Sequence, residues 1–447
     1  MARTSLLVRL LLVILFSSAI SFADSQVRIV RLSSVDGDVQ IDRNTGQGFE
    51  KAFLNLPITQ GVKLQTGSEA RAEIEFEDGS VARLAPGTTV EFSQLSLRDS
   101  GARASDMKVQ QGTVYVNFRG GKDDDFTVHF VRETVTLKDA VHFRVQVNDA
   151  NATLAVLKGN AKVEGTSGSV EVEKNQSITF DLANHDQYET AKVEDAPFDT
   201  WDKEQDKYHN SYLSKKHDYS TYAYGVSDLN YYGNFYNAPG YGRLWQPYFV
   251  SAGWDPFMDG GWAWYPGTGY TWVSAYPWGW TPYHCGSWRF VQSFGWGWQP
   301  GGCGSGFGFP PVINAPVNFH VPQPPVGRPG SGTIVMTPRP IISRSLVPTH
   351  RMVIESNSAG LGIPRGGIKN MSRLSTTVQR NGSATASFRP APVAARPVMN
   401  SPSMSHPMPR PSSSGSSPRV SAPPSNVPSR PMPAPRPSSV PRGTTRK

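Results

Sequence analysis

At 447 residues the chain has the length of about three domains, but its last third is not globular in composition: from Pro310 onward Pro, Ser, Arg and Gly dominate and long apolar runs are absent. The net charge of +8 is unevenly spread, with +16 on 301–447 and −10 on 24–300. An acidic body with a basic, proline-rich tail excludes a uniformly basic nucleic-acid-binding protein.

The N-terminus reads as an export signal over 1–23. Arg3 and Arg9 form a basic n-region, Leu10–Ile20 an apolar h-region, and Ser21 and Ala23 supply small residues before Asp24. The rival is an uncleaved anchor, but the apolar run is shorter than the roughly 20 residues a spanning helix needs. No later segment is apolar enough to span a bilayer, so the expected address is the periplasm or surface of a bacterium.

From 27 to 182 the sequence predicts strands and turns. In "ARAEIEFEDGSVARLAPGT", Ala72, Ile74 and Phe76 alternate with Arg71, Glu73 and Glu75, predicting one buried and one wet face. Asp78-Gly79 supplies the turn of a hairpin. The same grammar recurs in "GTVYVNF", "FTVHFV", "VHFRVQV" and "ATLAVLKGNAKV". Short strands without a convincing helix predict an all-β sandwich or roll.

The ordered motifs "VDGDVQI", "LPITQGVKLQTGSEARAEIEFEDGSVARLAPGTTVEF", "QQGTVYVNF" and "VLKGNAKV" resemble the FecR-like domain of bacterial envelope proteins. That resemblance implies a sensing or binding domain, linked in the best-known members to metal uptake. Two departures stand out. Ala140-Val141 replaces the usual Gly-Thr, and only nine residues precede the apolar segment, so the portion that restrains a sigma factor is not expected here.

A linking helix is predicted over 197–218, with Asp199 as N-cap, acids in its early turns and Lys215, Lys216 and His217 near its end. Trp201, Tyr208 and Tyr212 share one face, read as a packing stripe.

A small aromatic-rich β-repeat domain follows over 222–304. Gly-x-x-Trp recurs as "GRLW", "GYTW" and "GWGW" at steps of 27 and 26 residues, interleaved with "WDPF" and "WTPY". The order "FDTWDKEQD", "GVSDLNYYGNF", "GYGRLWQPY", "PWGWTPYHCGSW" resembles an uncharacterised aromatic-rich domain that often follows a FecR-like domain. Two readings of its rings compete. Trp245, Trp254, Trp272 and Trp280 are the candidate stacking platform for a cell-wall glycan or for a partner protein. Alternatively the rings are the core, since few aliphatic residues are available and each ring buries roughly 150–250 Å². Cys285 and Cys303, the only cysteines, predict a disulfide in an oxidising compartment.

Residues 310–447 are predicted to be a disordered, basic tail, with "RMVIE" at best a transient docking strand. Its charge suits an anionic envelope surface. No catalytic motif, cofactor site or metal site is expected. Asp123-Asp124-Asp125 reads as a solvated turn, and His129 and His142 as lone strand histidines. The carboxylates of the β domain are assigned to wet sheet faces. The expectation is a non-enzymatic envelope protein that binds an envelope protein or a cell-wall glycan.

Overall fold

The computed structural model describes residues 28–98, 100–121, 124–166, 168–184, 187–213, 224–303, 310–327, 335–336 and 351–387. All lie in one compact unit, Met1–Arg396; a second unit, Pro397–Lys447, lies outside the described residues, as do the expected signal segment and Lys215, Lys216 and His217. No described helix is long and apolar enough to cross a membrane.

Residues 28–192 form two packed β-sheets joined by one strand, so the fold is a sandwich. The first sheet runs in the order 57–58, 30–36, 71–75, 81–84, 112–118, 141–147, 151–158, 176–181, 188–192, all antiparallel. The second runs 50–51, 39–42, 63–66, 89–97, 103–111, 125–130, 133–137, 161–165, 168–172, with one parallel pairing between 103–111 and 125–130. The strand Arg103–Phe118 belongs to both sheets and turns the corner at Gly112. Gly112 has φ +90°, and a Cβ there would meet Thr88 Cα at 2.5 Å, so only glycine fits. Alternating apolar residues such as Leu32, Ile74, Leu84, Val116 and Phe143 fill the space between the sheets. Period-two patterning therefore works as expected for the inner face.

Helix α1 (Asp199–Leu213) and the short helix α2 (Val226–Tyr232) lie against the outer face of the first sheet. Trp201 and Tyr208 are buried, as a packing stripe requires. Asp199 is the first helical residue, and its carboxylate is held by Arg144 and Tyr115 of the sheet, while also accepting from the Ala196 N–H.

The aromatic module explains its sequence period directly. Each Gly-x-x-Trp opens the second strand of a hairpin: 233–238/242–247, 260–265/269–274 and 285–291/295–303. Gly242, Gly269 and Gly295 all have positive φ, which closes the turn. Three residues on, Trp245, Trp272 and Trp298 pair across the hairpin with Phe235, Trp262 and Trp288. The Trp245 and Trp272 rings lie flush on Gly233 and Gly260, where an added Cβ would sit 2.3 and 2.5 Å from the indoles. The repeat is thus a ring-over-glycine hairpin.

The three copies are not stacked in series. The first and third hairpins share a five-stranded sheet through Trp245 and Trp298, completed by Val312–Ile313. The second hairpin inserts Ala263, Tyr265 and Val273 into the sandwich core. Cys285 and Cys303 form a disulfide across the third hairpin.

One expectation requires correction. Within the stretch read as a disordered tail, 351–387 is folded. Its strands Arg351–Glu355 and Ser383–Ser387 pair with each other, and helix α3 (Met371–Asn381) lies between them in sequence. Ile354, Ala359, Ile363, Ile368, Met371 and Val378 are buried in the aromatic core. The segment is too polar to bury a core alone, but it borrows one from the module. Residues 388–447 lie outside the described residues.

Candidate functional site

The densest chemistry lies where the sandwich meets α1, α2 and 351–387. Because side chains alternate along a strand, Arg31, Ser33, Glu73, Glu75, Arg83, Tyr115, Asn117, His142 and Arg144 all leave the first sheet on its outer face. Registers place Glu73 beside Arg83, Arg83 beside Tyr115 and Tyr115 beside Arg144. This was the face expected to be wet. Instead Glu73 is 0% and Glu75 1% exposed, because the helices and 351–387 cover it.

Glu73 is the hub. Its Oε1 accepts from Ser33 Oγ at 2.7 Å, His209 Nε2 at 3.0 Å and Arg365 Nη1 at 2.7 Å; its Oε2 accepts from Arg83 Nε at 2.8 Å. One carboxylate thereby joins the sheet, α1 and 351–387. Arg83 Nη1 reaches Asp202 at 2.6 Å and Asp206 at 2.7 Å on α1, one helical turn apart. Arg31 Nη1 pairs with Asp228 of α2 at 2.6 Å and Glu75 at 3.2 Å, and its Nη2 donates to the Pro277 carbonyl at 2.8 Å. Asp228 also accepts from Tyr208 Oη at 2.8 Å and Arg365 Nη2 at 2.8 Å.

Burial by itself would raise the Glu73 carboxyl, but His209, Arg365 and Arg83 outweigh it and hold Glu73 well below the usual carboxylate range. The same balance lowers Asp202, through His142 and Arg83, and Asp228, through Arg365 and Arg31. Tyr208 is pushed well up by burial and by Asp228. The surroundings therefore favour the charged form of each carboxylate and the neutral form of the phenol.

His142 is not a lone strand histidine. Its Nε2 lies 2.9 Å from Asp202 Oδ2 and its Nδ1 3.5 Å from Asp206 Oδ2. Among the described residues these three form the one group whose donor atoms converge within 4.8 Å in a manner suited to a metal ion. Arg83 Nη1, bonded to both aspartates, already stands where a cation would be attracted, so the trio fits an internal ion pair better than a metal. His129 is paired to Asp106 at 2.7 Å. In the acidic turn, Asp124 is bound by Arg103 and Asp125 by Arg98.

The structure sends the candidate stacking tryptophans inward. Trp245, Trp254, Trp272 and Trp280 are 0%, 2%, 3% and 0% exposed. No ring face among them is open to a sugar. Trp278, absent from that set, is the centre of the cluster: it stacks on Tyr276 at 4.9 Å, meets Trp245 at 4.8 Å and Trp254 at 6.2 Å, and donates to the Ala359 carbonyl at 2.7 Å. Sequence reasoning also missed Arg365, which sits alone in a Pro/Gly stretch with no pattern to mark it.

Residues 62–177 match the family model described as FecR protein, and residues 226–321 match a family of unknown function, DUF6600. Two crystal structures of a candidate anti-sigma factor from Parabacteroides distasonis ATCC 8503, at 1.65 and 2.50 Å resolution, align with 17% identity and a TM-score of 0.27. Each alignment covers 31% of this chain and 63% of the other, under two thirds of the neighbour's length. Among curated proteins none matches the chain. A FecR domain over 62–177, followed by a DUF6600 domain over 226–321, is thus the recognisable content of this sequence.

Proposed function

We propose that this is a non-enzymatic, exported envelope protein whose FecR domain senses or binds a partner while the aromatic module braces it. The observation that carries the reading is the pairing of the interior acids and histidines. Among the interior titratable groups, Glu73, Asp202, Asp206, Asp228 and His209 are each committed to an ion pair or hydrogen bond between the sandwich and its cover. General acid–base work needs a group within reach of substrate and free to exchange its proton. These groups hold two modules together instead. The FecR match supports an envelope sensing or regulatory role for the whole. The partner class is an envelope protein met by the outer surface, and the +9 charge of 388–447 suits an anionic envelope surface.

Cell fractionation tests the reading. The full chain is expected in the envelope fraction without residues 1–23, and released by raising salt, since contacts between exposed charges are screened over about 8 Å at physiological ionic strength. A chain ending at residue 387 is expected in the soluble periplasmic fraction. Recovery of either form from the cytoplasm with its N-terminus intact refutes export.

A further inference from the structure

Residues 351–387 meet the rest of the molecule as a ligand meets a site. Their two strands pair with each other and, among the described residues, with no strand of the body. The body reads their main chain with side chains. Tyr232 Oη donates to the Ile363 carbonyl at 2.7 Å, and Tyr231 Oη donates to the Ile368 carbonyl at 3.1 Å and accepts from the Ile368 N–H at 2.9 Å. Trp278 Nε1 donates to the Ala359 carbonyl.

One side chain is read in full. The Arg365 guanidinium spans Glu73 and Asp228 and lies 5.6 Å from the Tyr208 ring centre, an arrangement of two carboxylates and a π face that suits arginine rather than lysine. Asp228 is held by Arg31 and Tyr208, so half of this receptor is positioned from the body alone. The segment carries a net charge of +4 against −10 for 24–300. It also lies wholly outside the matched span 226–321.

We propose that the surface formed by Glu73, Asp228, Tyr208, Tyr231, Tyr232 and Trp278 is a docking site for an arginine-bearing Pro-Arg-Gly peptide. Residues 351–387 fill it from the same chain, and the identical segment of a second copy is the ligand it fits in trans.

The test uses the full chain with a specific protease site placed between 337 and 350. A fluorescent synthetic peptide of residues 351–387 is added before and after cleavage, and the fold is followed by near-ultraviolet circular dichroism. The expected result is uptake only after cleavage, with the aromatic signal retained. A peptide carrying Arg365→Gln should bind about 100-fold more weakly or worse, because two buried carboxylates each lose one charged partner, and Arg365→Lys should fall between. The proposal is overturned by any of three results: no uptake after cleavage, equal uptake of the Arg365→Gln peptide, or loss of the fold as the native segment leaves.

Discussion

The sandwich and the aromatic module solve the same problem with different materials. The sandwich excludes water mainly with alternating Val, Leu, Ile and Ala on paired strands, with phenylalanines among them, so its interior is divided among many contributors. The module has few such residues and gathers large rings around Trp278, each touching several others. The difference teaches where each region is vulnerable. A core of many methyl groups loses little at any one position, whereas a core of interlocked indoles concentrates its stability in a few side chains whose N–H groups must also be satisfied.

The sharpest test of that contrast is Trp278→Ala beside Val145→Ala. Removing the central indole is expected to cost about 3–5 kcal/mol, and more than the sandwich substitution, measured by denaturant unfolding. Near-equal losses would erase the distinction between the two cores. At the junction, Arg83→Ala removes one charged partner from each of Glu73 and Asp202, both buried, and is expected to cost about 3–5 kcal/mol as well. A double change of Arg83→Met with Glu73→Met should not recover that loss, since Asp202 and Asp206 still lose Arg83 while Arg365 and His209 lose Glu73.

Next in size is the disulfide. Replacing Cys285 and Cys303 by serine frees a loop with a sequence separation of 18, which a chain-entropy model values at roughly 3 kcal/mol. The loss should appear in unfolding of the aromatic module and leave the sandwich transition in place if the two melt separately. Melting as one unit would show instead that the junction couples them fully.

Acid should expose the junction before either core. Glu73, Asp202 and Asp228 have folded pKa values below their unfolded ones. Their contribution is therefore complete above the usual carboxylate range and is lost as pH falls through the lowered folded values. A series of thermal melts from neutral to strongly acid pH should show a steeper decline for the native protein than for Glu73→Gln. Parallel declines would mean that other carboxylates dominate. The smallest expected effect is on the surface: Tyr236→Ala, at a 39% exposed ring, should change stability by about 0.5 kcal/mol or less.

Much of the architecture was legible because it is local. Strand alternation marked the inner face of the sandwich, Gly-x-x-Trp marked a repeat of short strands, and two cysteines marked their own bond. The second face of the sheet was misread for a reason that is equally physical. Glu73, Glu75 and Arg83 alternate with apolar residues as a wet face would, and period-two patterning cannot distinguish charge facing water from charge facing a complementary helix. Asp202 and Asp206 lie more than a hundred residues downstream of them, so nothing nearby in the chain announces the pairing.

Residues 351–387 were misjudged on similar grounds. Composition describes what a segment can bury by itself, and 351–387 buries its few apolar residues against rings supplied by another part of the chain. What the sequence alone determined, then, was local elements and their periods: the sandwich strands, a linking helix, a ring-bearing repeat. Only the tertiary structure decided which faces meet. It turned Trp245, Trp254, Trp272 and Trp280 inward, split the hairpins between two partners, and brought Arg365 to Glu73. These pairings depend on surfaces distant in sequence, where complementary charge and ring shape set the match and no local pattern records it.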